Sequence, residues 1–244
     1  MPARPLDNTS DSDERVLSVL AEGAVELVGR IVPRSNLALL VEVGTGVEAL
    51  AAVYKPQIGE RPLWDFEPGL HRNEAAAYVL SDWLGWDLVP PTIVRYDAPA
   101  GVGSLQAYID SDPSEHYFTL YDRAPETRAQ LRALAAFDVV ANNADRKSGH
   151  VLRDPDGRIK GIDHGLCFAA DDKLRTVVWD FAGEPVPPDL LARLGCLLKD
   201  LPPGLDELIT VTEVEALQGR VQRLLRTGVY PTDYSGRRVP WPLV

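Results

Sequence analysis

Residues 137–168 constrain this chain most, because they predict a β-hairpin that gathers polar side chains. The segment Asp-Pro-Asp-Gly at 154–157 predicts a tight turn, and short apolar strands flank it. Such a hairpin brings Asp145, His150 and Asp163, whose ends lie eighteen residues apart in the sequence, into one small volume. Two carboxylates and an imidazole in that arrangement are typical of metal-assisted phosphoryl transfer.

The remaining sequence predicts an α+β protein. Apolar, strand-like runs joined by short turns precede a helix over residues 71–84, and two further strands follow it, which together make a five-stranded antiparallel sheet with one helix. A loop over 111–125 then leads into a helix over 126–143, and helical patterns dominate the last part of the chain.

These patterns predict two lobes. We expect a β-rich N-terminal lobe over residues 1–110 and a mainly helical C-terminal lobe over 111–244 that carries the hairpin. The polar residues 1–12 are predicted to be disordered, ahead of a short helix over 14–20. A cleft between two such lobes is a preferred place for a ligand pocket.

Charge and composition disfavour several classes of function. A net charge of −11 leaves no basic surface for nucleic acid, and it disfavours stable association with an anionic membrane. No run approaches the ~18 apolar residues of a membrane span. The two cysteines, Cys167 and Cys196, lack metal-site spacing, and we expect both to be reduced and buried. These features predict a soluble, cytoplasmic protein.

Lysine is rare in this chain, and Lys55 occupies an unusual position. Arginine outnumbers lysine twenty to five, and Lys55 is the single lysine among the first 146 residues. It ends an apolar strand, where its ammonium could bind nucleotide phosphates, and Glu74 on the following helix could pair with it. The alternative is a surface lysine and a solvated glutamate. Ser35 and Asn36, in the turn between the first two strands, could cradle phosphate through backbone N–H groups or form an ordinary turn.

The loop after the central helix supplies the other candidates. Asp145 could accept the proton of an attacking hydroxyl, and Lys147 could contact the transferred phosphate. Arg146 could be a partner of Asp145 or of phosphate, and the alternative for both Arg146 and Lys147 is a solvated loop charge. Asp163 leaves an apolar strand, so a cation such as Mg²⁺ would offset the cost of burying it. His150 is either a second metal ligand or a hydrogen-bond partner that orients Asp163.

Four short motifs, taken in order, resemble the lipid-kinase-like branch of the protein-kinase-like fold. That branch contains the phosphatidylinositol 3-/4-kinases and the HipA-type bacterial kinases. The motifs are YKP at 54–56, RNEAAAY at 72–78, NADRKSGH at 143–150 and IDHG at 162–165. The chain is most similar to small bacterial proteins of the phosphatidylinositol 3-/4-kinase-like kind, over about residues 23–200.

The resemblance implies a kinase that uses ATP with Mg²⁺ or Mn²⁺, and it assigns roles to individual residues. The residues that would form the hinge against the adenine are Gln106, Tyr108 and Ile109. Lys55 would bind the nucleotide phosphates, and Glu74 would pair with Lys55. Asp145 would be the acid of the catalytic loop, and Asp163 would bind the metal. His150 stands where the family's catalytic loop has Asn, and His164 stands where its metal motif commonly has Phe.

We therefore expect a kinase-like phosphotransferase that moves the γ-phosphoryl of ATP to a hydroxyl of a protein or small molecule. His150 motivates an alternative, a nucleotide-binding pseudokinase with little or no turnover, and transfer of AMP is a variant within the enzyme class. A metal-dependent phosphohydrolase built on Asp145, His150, Asp163 and His164 would leave the lysine of the third strand unused. The acidic surface disfavours a phosphoinositide acceptor.

Overall fold

The computed structural model describes residues 9–31 and 36–243. These residues form two compact units. The first unit comprises the described residues up to Arg61 together with Pro91–Tyr108, and the second comprises Pro62–Pro90 and the described chain from Ile109 onward.

The first unit is a five-stranded antiparallel sheet with a helix packed against it. Its elements are α1 Thr9–Glu22, β1 Val25–Arg30, β2 Leu39–Val43, β3 Leu50–Pro56, β4 Thr92–Arg95 and β5 Gly103–Ala107. The spatial order is β1-β2-β3-β5-β4, and every neighbouring pair is antiparallel, so the predicted sheet is confirmed. The helix begins at Thr9 rather than at residue 14, so residues 9–12 are helical instead of disordered. Residues 1–8 lie outside the described part of the chain.

The side chains of β3 point alternately to the two faces of this sheet. Ala52 and Tyr54 are fully buried in a core that also contains Leu20 of α1 and Val41 of β2. Since successive side chains of a strand point to opposite faces, Lys55 lies on the face away from that core.

The second unit is mainly helical. Its helices are α2 Leu70–Leu84, α3 Tyr117–Arg123, α4 Arg128–Ala141, α5 Pro188–Cys196, α6 Leu205–Leu208 and α7 Val211–Thr227. The strands β6 Val151–Arg153 and β7 Ile159–Gly161 form the predicted hairpin. The sequence places α2 in the N-terminal lobe, whereas in the structure this helix belongs to the second unit. No helix in the described ranges is both long and apolar enough to cross a bilayer.

Residues at the helix ends show why the helices stop where they do. Gly85 and Gly228 end α2 and α7 in the left-handed conformation, with φ of 66° and 64°. Asn142 ends α4 in the same way, with φ of 56°. Thr210 and Glu213 form a reciprocal capping box at the start of α7, with hydrogen bonds of 2.8 and 3.3 Å.

Two expectations from the sequence are wrong in the second unit. Residues 117–123, inside the predicted loop, form α3, which starts with a hydrogen bond of 2.9 Å from the His116 N–H to the Thr119 hydroxyl. An aromatic-rich helix that follows a histidine lacks the usual capping sequence, so the pattern does not indicate it. Cys167 is buried as expected, but Cys196 is exposed at the end of α5.

A buried arginine joins three parts of the second unit. Arg146, in the loop after α4, is fully buried, and its guanidinium donates to the Asp138 carboxylate of α4 at 2.9–3.1 Å. The guanidinium also donates to the Ile162 carbonyl at 2.7 Å and lies 2.7 Å from His164 Nε2, which accepts because a guanidinium only donates. Arg146 is therefore neither a solvated charge nor primarily a partner of Asp145, and that expectation is wrong.

The remaining hydrogen-bonding capacity of Asp138 is also used. The Asn143 amide donates to Asp138 Oδ1 at 3.1 Å, and the Thr176 hydroxyl donates to Oδ2 at 3.2 Å. A buried ion pair is stable only when such additional hydrogen bonds compensate for lost hydration. The Arg146–Asp138 pair meets that condition.

Replacing Arg146 should destabilise the protein strongly. Arg146→Met leaves the Asp138 carboxylate buried without its cation, and we expect the free energy of unfolding to fall by about 3–5 kcal/mol. The exposed Arg226 on α7 provides a control, and Arg226→Met should change stability by no more than about 0.5 kcal/mol. Urea unfolding followed by tryptophan fluorescence measures both. A loss below about 1 kcal/mol for Arg146→Met would contradict the role of this pair.

Candidate functional site

Polar side chains cluster on the face of the first unit's sheet that lies away from α1. Residues directly opposite each other on neighbouring strands share a face, and Lys55 pairs with Ser104 while Val53 pairs with Gln106. Gln106 is buried, and its Nε2 donates to Thr92 Oγ1 at 2.9 Å. Within the described residues, Ser104 Oγ is buried without a hydrogen-bond partner. This face offers a ligand one cationic group and several hydrogen-bonding groups.

A glycine keeps β5 close to β3 at Lys55. A Cβ on Gly103 would lie 2.5 Å from the Lys55 carbonyl oxygen and 2.7 Å from Pro56 Cα, which no side chain could tolerate. Gly103 is therefore needed for the strand pairing that positions Lys55.

The other cofactor-binding candidates of the first unit have different surroundings. Ser35 lies outside the described residues. Asn36 Oδ1 accepts a hydrogen bond of 3.0 Å from the Arg61 N–H, so its side chain holds local backbone. Tyr108 donates its N–H to the Ala51 carbonyl at 3.0 Å, and the chain passes to the second unit between Tyr108 and Ile109. Their contact with a nucleotide stays a prediction.

In the second unit, the loop after α4 presents Asp145 and Lys147 as an ion pair. Lys147 Nζ lies 3.0 Å from Asp145 Oδ2, and Asn143 Oδ1 accepts the Asp145 N–H at 3.0 Å. Burial raises the pKa of the Asp145 carboxyl, the hydrogen bond from Lys147 lowers it, and the nearby charge of Asp163 raises it, with a net upward shift. Asp145 is therefore a stronger base than a solvated aspartate.

His150 contacts Asp163, as the hairpin predicted. His150 Nε2 lies 3.3 Å from Asp163 Oδ2, and His150 Nδ1 accepts the Lys147 N–H at 3.4 Å. In the tautomer that this pattern favours, Nε2 carries the proton and donates to Asp163. Asp163 itself has a left-handed φ of 64°, which a non-glycine residue adopts only where its surroundings enforce it. The hydrogen bond from Arg146 to the preceding carbonyl, that of Ile162, is one such restraint.

Two residues of α2 hold the segment that follows Asp163. Glu74 is nearly fully buried, and its Oε2 accepts the His164 N–H at 2.9 Å. Asn73 donates through its amide to the carbonyls of Gly165 and Cys167, at 2.9 and 3.0 Å. These hydrogen bonds explain why α2 belongs to the second unit. Pairing of Glu74 with Lys55 stays a prediction.

The acidic groups of this loop fit a divalent cation that is shared with a phosphate ligand. Within the described residues, no three side chains of His, Cys, Asp or Glu converge as a complete metal site. Mg²⁺ bound with a nucleotide commonly uses only one or two carboxylates, and phosphate oxygens and water complete its shell. Asp163 could hold such a cation, with His150 as a second ligand, and a cation there would relieve the repulsion between Asp163 and Asp145.

Two residues that support these candidates are missing from the expectations drawn from the sequence. Asp138 is one of them, although an acid within the apolar run Phe137-Asp138-Val139-Val140 is a signal of a buried ion pair. Asn73 is the other. It lies in a polar helix start, and nothing in the sequence points to its hydrogen bonds with residues 165 and 167.

Known structures show which fold these units build. The structure of hydra Fam20 with sugar has a TM-score of 0.63 and 14% identity, over 91% of this chain and 90% of that one. The Golgi casein kinase with Mn/ADP bound has a TM-score of 0.58 and 14% identity, over 96% and 81%. The Helicobacter pylori proinflammatory kinase CtkA has a TM-score of 0.50 and 12% identity, over 86% and 94%. The predicted α+β, two-lobed protein-kinase-like fold is confirmed, while the lipid-kinase-like branch is not singled out.

Sequence comparison gives the family. No family model matches the chain. Phosphatidylinositol 4-kinase gamma 4 of Oryza sativa subsp. japonica is 31% identical over an alignment that covers 63% of this chain but only 34% of that protein, so the chain spans about a third of its length. Protein Rv2133c of Mycobacterium tuberculosis (strain ATCC 25618 / H37Rv) is 40% identical over an alignment that covers 92% of this chain and 94% of that protein. The chain belongs to the family of Protein Rv2133c.

Proposed function

We propose that this protein is a phosphotransferase that uses ATP with Mg²⁺ or Mn²⁺ and moves the γ-phosphoryl to a hydroxyl of a protein or small molecule. The observation that carries the proposal is the pair of acids in the second unit. Asp145 lies near enough to Asp163 for the charge of Asp163 to raise its pKa, and Lys147 lies 3.0 Å from Asp145. The protein-kinase-like fold supports this proposal, as does the Mn/ADP bound to the Golgi casein kinase structure.

Residues of both units take roles in this proposal. Lys55 binds the nucleotide phosphates, and Glu74 orients it, while the His164 N–H holds the Glu74 carboxylate in place. The adenine lies against the backbone around Tyr108 and Ile109, where the chain leaves the first unit. We propose Ser35, Asn36 and Gln106 as further contacts of the nucleotide.

Proton transfer to Asp145 accompanies the phosphoryl transfer. The acceptor hydroxyl gives its proton to Asp145 Oδ while its oxygen forms a bond to the γ-phosphorus, and the bond from that phosphorus to the bridging oxygen of ADP breaks. The raised pKa of Asp145 suits it to accept this proton. Lys147 lies beside Asp145, where its ammonium can contact the transferred phosphoryl. Asp163 would hold the divalent cation, which would supply positive charge to the phosphate oxygens.

Nucleotide binding should require both Lys55 and a divalent cation. We expect calorimetry to show binding of ADP or a non-hydrolysable ATP analogue only with Mg²⁺ or Mn²⁺. Lys55→Met should weaken it at least about tenfold, because it removes a charge-assisted contact to phosphate. Lys199→Met, which removes an exposed lysine, should leave the affinity unchanged. Wild-type protein that binds no nucleotide in the presence of metal would contradict the proposal.

Turnover should depend on Asp145. With γ-labelled ATP and a hydroxyl acceptor, the wild-type rate should exceed that of Asp145→Asn by about 10²–10⁴-fold, since the variant loses a positioned base. Nucleotide affinity should be retained in this variant, and the exposed Asp156→Asn should transfer phosphate at the wild-type rate. Mass spectrometry of the acceptor separates phosphoryl from AMP transfer. Nucleotide binding with no transfer by the wild type would instead identify a pseudokinase.

The choice of cation should depend on His150. An imidazole suits Mn²⁺ better than Mg²⁺, whereas an asparagine oxygen suits Mg²⁺. If His150 is a metal ligand, the ratio of nucleotide affinity with Mn²⁺ to that with Mg²⁺ should fall at least about threefold in His150→Asn. Calorimetry with each cation measures this ratio. An unchanged ratio would show that His150 only orients Asp163 through the contact of 3.3 Å.

A further inference from the structure

A cavity of about 320 Å³ in the second unit lies apart from the catalytic candidates. It is bordered by α4, α7 and the segment around Asp172, and Asp145, Lys147, His150 and Asp163 do not line it. Its apolar and aromatic lining residues are Val139, Leu174, Leu224, Val229, Tyr230, Pro231 and Tyr234. This volume and lining are suited to a small organic molecule.

A buried arginine forms part of the wall. Arg220 of α7 is 9% exposed, and it donates through Nε to the Val140 carbonyl at 2.8 Å and through Nη1 to the Ala169 carbonyl at 3.1 Å. Its Nη2 is buried and has no hydrogen-bond acceptor among the described residues. Burial lowers the pKa of Arg220 to about 10, so the group remains cationic at neutral pH. Carbonyl oxygens satisfy two of its nitrogens but supply no counter-charge.

The cavity carries an excess of positive charge in an acidic protein. Its charged lining groups are Arg220, Arg223, Arg238 and Asp172, and the aspartate pairs with Arg238 at 3.0 Å. Within the described residues, neither Arg220 nor Arg223 forms a salt bridge with a carboxylate, and the charges of Asp172 and Glu213 only partly offset the effect of burial on the pKa of Arg220. The chain has a net charge of −11, yet arginines cluster around this apolar cavity. Such a cavity is complementary to an anion that has an apolar body.

One wall of the cavity is fixed before any ligand binds. Asp172 and Leu174 belong to a segment that Asn142 holds, because the Asn142 amide donates to the carbonyls of Ala169 and Asp171 at 2.9 and 2.6 Å. Asn142 Oδ1 also accepts the Lys173 N–H at 3.0 Å. A wall that is already ordered lowers the entropic cost of binding.

We propose that this cavity is a binding site for a small organic anion. A carboxylate or phosphate group lies against the guanidinium groups of Arg220 and Arg223, and the apolar body of the ligand packs on Val139, Leu174 and Leu224. An apolar body is part of the proposal because these side chains would offer nothing to inorganic phosphate alone.

Calorimetric titration with phenyl phosphate, benzoate and inorganic phosphate tests the site. We expect phenyl phosphate, benzoate or both to bind more tightly than inorganic phosphate, and the anion that binds identifies the headgroup. Arg223→Glu, at the exposed rim, should weaken this binding on the order of tenfold because it replaces attraction by repulsion. Arg226→Glu makes the same change of charge one turn further along α7, outside the cavity, and should leave the affinity within about twofold.

Two further variants distinguish this cavity from the nucleotide site and from a loss of folding. Lys55→Met disables the proposed nucleotide site and should not alter binding of these anions, so this result stands whether or not the proposed function is correct. Arg220→Met should abolish binding, provided that circular dichroism shows the variant to be folded. If Arg220→Met does not fold, Arg223→Glu provides the test instead. No binding at millimolar concentration, equal affinity for inorganic phosphate, or equal weakening by Arg223→Glu and Arg226→Glu would overturn the proposal.

Discussion

The ion pair between Arg146 and Asp138 is the interaction on which the second unit depends. Both side chains are fully buried, and such a pair is stable only if the protein supplies the hydrogen bonds that water would otherwise provide. The pair is surrounded by those groups, which come from α4, from the loop after it and from the segment around Thr176. Because the same guanidinium also donates to the Ile162 carbonyl, it connects the segment between the hairpin and Asp163 to the helix that precedes Asp145.

This connection lets the protein hold the carboxylates of Asp145 and Asp163 near each other. Asp163 has a left-handed backbone and Asp145 has a raised pKa, and each of these features costs free energy that the rest of the unit must offset. Lys147 and His150 each contact one of the acids and reduce that cost without removing it. Strained backbone and shifted pKa values concentrate at functional sites, and here they occur at residues that the proposed chemistry uses.

Two buried arginines in this unit have opposite surroundings. Arg146 has a carboxylate and a full set of acceptors, as a structural group requires. Arg220 has two carbonyl acceptors, one nitrogen without an acceptor and no salt bridge to a carboxylate among the described residues. Burying a cation without a salt bridge costs free energy of folding. A ligand whose anionic group pairs with Arg220 would offset that cost.

The sequence by itself determined the five-stranded sheet, the hairpin and the closeness of His150 to Asp163, because alternation and a tight turn act over a few residues. It did not indicate α3, whose start lacks a common capping residue, or the place of α2 in the second unit. Only the tertiary structure decided that Arg146 is a buried structural cation, that Glu74 binds the His164 backbone and that Arg220 lines a cavity. Those properties depend on which residues, far away in the sequence, pack against a side chain and exclude water from it. The local sequence does not determine this packing.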